Sequence, residues 1–153
     1  MKVYRIARRQ WVNDLSGKGA ERAGGRWNPR GKCVVYTSES SSLAILESLV
    51  RYDMDLIPRD VYMAAIEIPD DDVEDLPAHE LSAGWRHVPP PPMLQQVGLR
   101  WLTRGHALCL RVPSAVNPHE FNVLINPLHP RFQEVKVVSS WSLTWDERFQ
   151  PRP

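Results

Sequence analysis

"ALCLRVPSAVNPHEFNVLINPLHPRFQEVKVVSSWSLTW", residues 107–145, carries three strand-like runs in succession. "ALCLRVPS", "FNVLIN" and "EVKVVSSWSLTW" are rich in β-branched, aromatic and other apolar residues, and Pro, Asn and Ser punctuate them. No helical pattern intervenes. Outward from this stretch, "KVYRIAR" (2–8), "KCVVYTS" (32–38) and "VYMAAIEI" (61–68) read as further strands. Two stretches have helical spacing. A serine cluster offering an N-cap precedes one, predicted from Ser41 to Asp53; "MLQQVGLRWLTRG" (93–105) is the other, closed by Gly105. Strands outnumber helices and do not alternate with them, which predicts an α+β fold and argues against a doubly wound parallel sheet.

The connecting segments have a character of their own. Residues 13–32 are rich in Gly, Ser and charge and read as a long loop. "PDDDVEDLPAHELSAGW" (69–85) is an acidic connector, and "VPPPPM" (88–93) is a stiff extended segment. At 153 residues the chain is the size of one domain, taken here as 1–153. Such a chain buries roughly two-thirds of its unfolded surface, enough for a core without staples. A hydrophobic fraction of 42% and a charged fraction of 24% are those of an ordinary globule. The basic start lacks the apolar core of a signal peptide and no run reaches membrane-span length, so a cytoplasmic protein is expected. Cys33 and Cys109 lie in apolar runs without CxxC spacing and read as inert thiols. The histidines at 79, 87, 106, 119 and 129 show no metal-binding spacing, so no metal is expected.

Net charge is +1, but it is unevenly spread: residues 1–32 hold nine Lys or Arg against two acids, and residues 67–80 hold seven acids and no Lys or Arg. Arginine outnumbers lysine fifteen to four. The guanidinium is the better fork for phosphate or carboxylate, so an anionic ligand near the N-terminal third is one reading and a solvated charged face the other. "GGRWNPRG" (24–31) has neither dinucleotide-fingerprint nor P-loop spacing.

Four residues stand out for chemistry. Glu47 falls at the rim of the apolar arc formed by Leu43, Leu46 and Val50, where a carboxylate is costly unless paired or used; a surface pair with Arg51, four residues on, is the competing reading. Arg26 follows two glycines that let the backbone bend, and could clamp a phosphate or tie the loop down through carbonyls. Tyr36 ends a strand, as a pocket wall or as core packing. Ser114 follows "LRVP" at a strand end, as a site hydroxyl or a turn former. No nucleophile elbow surrounds it, so a Ser-His-Asp triad is not supported.

Together "VYRI", "GGRWNPRG", "VVYTSES", "LAILESL", "VPSAVNPHEFNVLINPLHP" and "WDERF" resemble, in order and over nearly the whole chain, the RES-domain toxins of bacterial Xre–RES toxin–antitoxin modules. Residues 69–92 match only loosely. The family's arginine, glutamate and serine fall on Arg26, Glu47 and Ser114, and its tyrosine on Tyr36. The resemblance implies a split, mostly antiparallel β core with flanking helices, similar to ADP-ribosyltransferase toxins. It also implies consumption of NAD⁺ as substrate, with no other cofactor, by hydrolysis or phosphorolysis of the nicotinamide–ribose bond. Catalytic roles are then expected for Arg26, Tyr36 and Glu47, and substrate-binding roles for Arg5 and Ser114. Glu47 would stabilise a cationic ribose, Arg26 and Arg5 would take the pyrophosphate, and Tyr36 would face the flat, cationic nicotinamide. Ser114 would bond nicotinamide or ribose, and Trp27 would be a cleft wall or the loop's anchor in the core.

The implied partner is an Xre-type antitoxin, with a toxin homodimer inside a larger complex also expected, and neither membrane nor direct nucleic-acid binding. Two other functions compete. An ADP-ribosyltransferase would use the same residues on a macromolecular acceptor. A non-catalytic module could bind a partner or RNA through basic residues interleaved with Tyr4, Trp11 and Trp27, although the near-zero net charge speaks against it.

Overall fold

The computed structural model describes residues 1–52 and 58–149. Seven strands join into one sheet: β1 (Lys2–Arg8), β2 (Val35–Ser38), β3 (Val61–Glu67), β4 (Val73–Asp75), β5 (Cys109–Pro113), β6 (Phe121–Ile125) and β7 (Lys136–Ser142). Their spatial order is β4-β5-β6-β2-β1-β3-β7. The β4–β5 pair is parallel and the other pairs are antiparallel. The chain is α+β, as the uninterrupted succession of strands predicts.

The sheet is nearly divided at its waist. β1 pairs with β3 along its whole length, from Lys2↔Glu67 to Arg8↔Val61. With its other neighbour, β2, it shares only Tyr4↔Ser38. β2 in turn pairs with β6 from Val35↔Ile125 to Ser38↔Asn122. Past Tyr4↔Ser38 the two strands part, and Arg5 and Ile6 on one side and Tyr36 and Thr37 on the other line a common pocket instead of a ladder.

Two cores clamp the sheet, one on each face, and the alternation of strand residues decides which side chain joins which. Cys109, Val123 and Ile125 pack with Val3, Val35 and Ile66 in one. Leu110, Val112 and Leu124 pack with Trp27, Leu94 and Trp101 in the other. The second is covered by α3 (Pro92–Arg104), which buries Leu94, Val97, Gly98 and Trp101, a stripe at helical spacing. Pro92 occupies the first turn, where its missing N–H costs nothing. A Cβ on Gly98 would lie 1.7 Å from the Trp27 carbonyl oxygen, so helix and loop backbones meet where only glycine fits. Trp27, 2% exposed, is the loop's anchor in the core.

α2 (Ser41–Leu49) contacts both β1 and β2 and so lies against the waist. The Ser40 hydroxyl caps it, accepting from the Leu43 N–H at 3.0 Å. The helix stops at Leu49, short of the predicted end; Asp53 lies outside the described residues. Within the predicted loop at 13–32 sits the short helix α1 (Lys18–Ala23), and within the acidic connector sits β4. The Asp72 carboxylate beside β4 accepts from the Leu108 N–H at 3.0 Å, fixing that edge to the start of β5. Cys109 is buried and Cys33 half-buried. No helix among the described residues is long and apolar enough to cross a membrane.

Candidate functional site

A pocket of about 280 Å³ occupies the parting of β1 and β2. β1 contributes Tyr4, Arg5 and Ile6, β2 contributes Val35 to Ser38, α2 contributes Ala44, Glu47 and Ser48, and Asn122 closes it from β6. Lys18 and Arg51 add cationic groups to the same lining.

Glu47 is held from behind. Its Oε1 accepts from the Ser114 hydroxyl at 2.7 Å and from Asn122 Nδ2 at 2.6 Å. Each donor is itself oriented. Ser114 Oγ accepts from the Val116 and Asn117 N–H groups at 3.1 and 3.0 Å, which commits its one proton to Glu47. Asn122 Oδ1 accepts from the Ser38 hydroxyl at 2.7 Å, which settles the direction of its amide. Among the described residues Oε2 carries no hydrogen bond, and no ion pair joins Glu47 to Arg51. The surface-pair reading of Glu47 gives way to a carboxylate fixed by its β5–β6 side, with one oxygen left over. Charge-assisted hydrogen bonds of this kind orient an anion before any ligand arrives.

Tyr36 lines the pocket beside it. Its hydroxyl donates to Asn28 Oδ1 at 2.7 Å and accepts from the Trp27 N–H at 3.1 Å. Burial pushes the phenol up to about 12, so it is neutral and its proton stays on the Asn28 bond. What Tyr36 offers a ligand is therefore its ring.

The two predicted phosphate ligands differ. Arg5 lines the pocket, and its Nη1 donates to the Asp14 carbonyl; burial lowers its pKa, opposed by Asp14. Arg26 is not among the lining residues. Its Nη1 donates to the Trp85 and His87 carbonyls at 2.6 and 3.2 Å, so it ties the loop at 26 to the end of the acidic connector and the residues just after it. It is still electrostatically near the site: burial lowers its pKa, and Glu47 and then Tyr36 oppose that.

The structure thus brings Arg5, Tyr36 and Glu47 together on one pocket, with Ser114 bonded to Glu47 and Arg26 outside the lining but near enough to feel Glu47 and Tyr36. Asn122, Asn28, Arg51 and Tyr4 join this assembly without having been singled out for it. For Asn122 a signal existed, a polar amide inside the otherwise apolar run "FNVLI" (121–125). For Asn28 there was none: next to Pro29 it reads as a turn residue.

A family model described as "RES domain" matches residues 2–146. The chain is 36% identical over 152 residues to "Toxin Res" of Yersinia enterocolitica, covering 98% of this chain and 100% of that one. It is 40% identical over 127 residues to "Toxin Res" of Pseudomonas putida, covering 81% and 85%. A Sphingobium protein described as "Prs ADP-ribosylating toxin" is 36% identical over 145 residues, covering 92% and 90%. Among solved structures, the MbcT–MbcA toxin–antitoxin complex of M. tuberculosis holds a chain of the same fold, with a TM-score of 0.79 at 21% identity, covering 94% of this chain and 84% of that one.

Proposed function

The chain belongs to the RES-domain family of toxins, and from that premise we propose that it depletes cellular NAD⁺ by breaking the nicotinamide–ribose bond, which arrests growth. The observation that carries this reading is the Glu47 carboxylate, clamped on one oxygen by Ser114 and Asn122 at a pocket lined by Arg5 and Tyr36.

The chemistry asks for such a group. When the C–N bond breaks, its electron pair leaves with the nicotinamide nitrogen, which becomes neutral, and positive charge develops on the ribose. A fixed anion beside that carbon is worth more in the transition state than in the ground state. Glu47 supplies it, with Oε2 available to a ribose hydroxyl. Ser114 acts on the ribose only through Glu47, since its own proton and lone pairs are in use. The Tyr36 ring faces the cationic base before cleavage. Arg5 binds the pyrophosphate from inside the pocket; Arg26 adds charge through the nitrogens not bonded to Trp85 and His87. Water or inorganic phosphate then adds to the ribose carbon and gives up a proton.

A second reading shares every residue and changes the acceptor: transfer of ADP-ribose to a macromolecule, favoured by the 36% identity to the Sphingobium toxin. Purified protein mixed with radiolabelled NAD⁺, with and without inorganic phosphate, separates the outcomes. Free ADP-ribose means hydrolysis, its phosphorylated form means phosphorolysis, and label on protein or another macromolecule means transfer. Intact NAD⁺ in every arm sinks the enzymatic reading.

The proposal includes a restraining antitoxin of the Xre type, supported by the toxin–antitoxin complex that shares the fold, and a toxin homodimer within the larger assembly. It places the protein in the cytoplasm, where NAD⁺ is met, and assigns it no metal and no nucleic-acid contact of its own.

A further inference from the structure

The Asn28 side chain makes four hydrogen bonds, and the chemistry above gives it no role. It is fully buried, at 0% exposure. Its Nδ2 donates to the carbonyls of Ala20, Lys32 and Pro29 at 2.9, 3.0 and 3.2 Å. Those three carbonyls come from the middle of α1 and from both sides of the turn before β2, so one amide gathers the loop between them. With both amide protons on carbonyls, Oδ1 can only accept, and it accepts from the Tyr36 hydroxyl at 2.7 Å.

The remaining contacts of that hydroxyl belong to the same loop. The Trp27 N–H donates to it at 3.1 Å. The Gly25 N–H donates to the Asn28 carbonyl at 2.9 Å, and the Gly25 carbonyl accepts from Gln95 Nε2 of α3 at 2.9 Å. A Cβ on Gly25 would sit 2.5 Å from the Tyr36 hydroxyl oxygen and 2.8 Å from Asn28 Oδ1. The loop is thus built around the tip of the Tyr36 side chain, while Tyr36 itself packs against the cluster around Trp27 and is among the residues that line the pocket.

We infer that Asn28 is a positioning residue: it holds the Tyr36 hydroxyl so that the ring stands at a fixed angle to the bound nicotinamide, and it does so only through that hydroxyl. The inference rests on the NAD⁺ reading above. It differs from a mere loop brace in one respect, namely that its effect on catalysis must vanish once the hydroxyl is gone.

The test is a double-mutant cycle on kcat/KM for NAD⁺ with Asn28→Ala, Tyr36→Phe and the pair, thermal unfolding being followed in parallel. A misplaced reacting group costs ~10²-fold, so Asn28→Ala in the wild-type background is expected to lower kcat/KM by roughly 10- to 100-fold, with Tyr36→Phe giving a similar loss. In the Tyr36→Phe background, Asn28→Ala should change kcat/KM by no more than about twofold, the scatter of non-interacting sites. Equal losses in both backgrounds overturn the inference and leave Asn28 a loop brace. Should Asn28→Ala not fold, Tyr36→Phe alone decides. A raised KM together with faster amide exchange at Trp27 supports the tether, and wild-type KM and kcat refute it. Wild-type turnover, measured first, tells the two failures apart, because a wild-type protein that leaves NAD⁺ intact brings down the NAD⁺ reading itself.

Discussion

Glu47→Gln keeps the size of the side chain and removes its charge. Loss of one preorganised electrostatic contact typically costs 10²–10³ in rate, about 3–4 kcal/mol. We expect NAD⁺ turnover to fall by that factor, growth arrest to disappear and the unfolding temperature to stay close to wild type. Growth arrest at wild-type expression levels would remove Glu47 from the chemistry. Arg26→Ala is expected to abolish growth arrest as well, and Arg26→Lys to restore little, because a point charge cannot serve two carbonyls and a phosphate at once. If Arg26→Lys matches wild type, the guanidinium fork has no part in binding. Ser114→Ala is different in kind. It strands the Val116 and Asn117 N–H groups and removes a donor from Glu47, so stability should drop by ~1–3 kcal/mol along with kcat. Denaturant midpoints read beside turnover separate it from Glu47→Gln, which should move turnover alone.

At the level of elements, the ends of α2 and the face of α3 set the site's rigidity. Ser40→Ala removes the cap on the Leu43 N–H and should cost ~1 kcal/mol, seen as a lowered unfolding midpoint. Gly98→Ala must push α3 away from the Trp27 carbonyl, and ~1–3 kcal/mol is the usual toll of such overpacking; a neutral result would mean that helix and loop separate freely. Legibility follows the same elements. β1 and β3 could be read from sequence because each is a seven-residue run rich in apolar and aromatic residues, and α3 because its buried residues keep helical spacing over thirteen. β4 and α1 escaped because three and six residues are too few to show a period, and their pairing comes from elsewhere in the chain. Glu47 drew notice as an acid beside Leu43, Leu46 and Val50, and it does line the pocket. The buried face is another one: Leu46 and Val50 are exposed and α2 buries Leu43, Ala44 and Ser48, because the helix lies on the sheet through its small residues. The site was not legible where partners lie 67 to 75 residues apart, as Ser114 and Asn122 do from Glu47. Arg26 shows the opposite limit: its type was suggestive, yet its bonds to the 85–87 carbonyls depend on a segment that offered no readable pattern.

For the molecule as a whole, two weak acids, buried Cys109 and half-buried Tyr36, set an alkaline limit. Burial raises Cys109 from 9.0 to about 12 and Tyr36 from 10.0 to about 12. Both are neutral in the folded state and ionise more readily once unfolded, so the stability they contribute is complete below pH 9 and is lost as pH climbs toward 12. The urea midpoint should fall steadily over that interval, and Cys109→Ala, though less stable throughout, should flatten the slope. A slope unchanged by the substitution would exclude the thiol as its source.

The single rung between Tyr4 and Ser38 has a topological counterpart. The backbone passes from one side of the waist to the other four times: between β1 and β2, β2 and β3, β3 and β4, and β6 and β7. What hydrogen bonding leaves loose, covalent stitching secures. A nick at any one crossing leaves three threads in place, so neither side of the parting can be released as a separate piece.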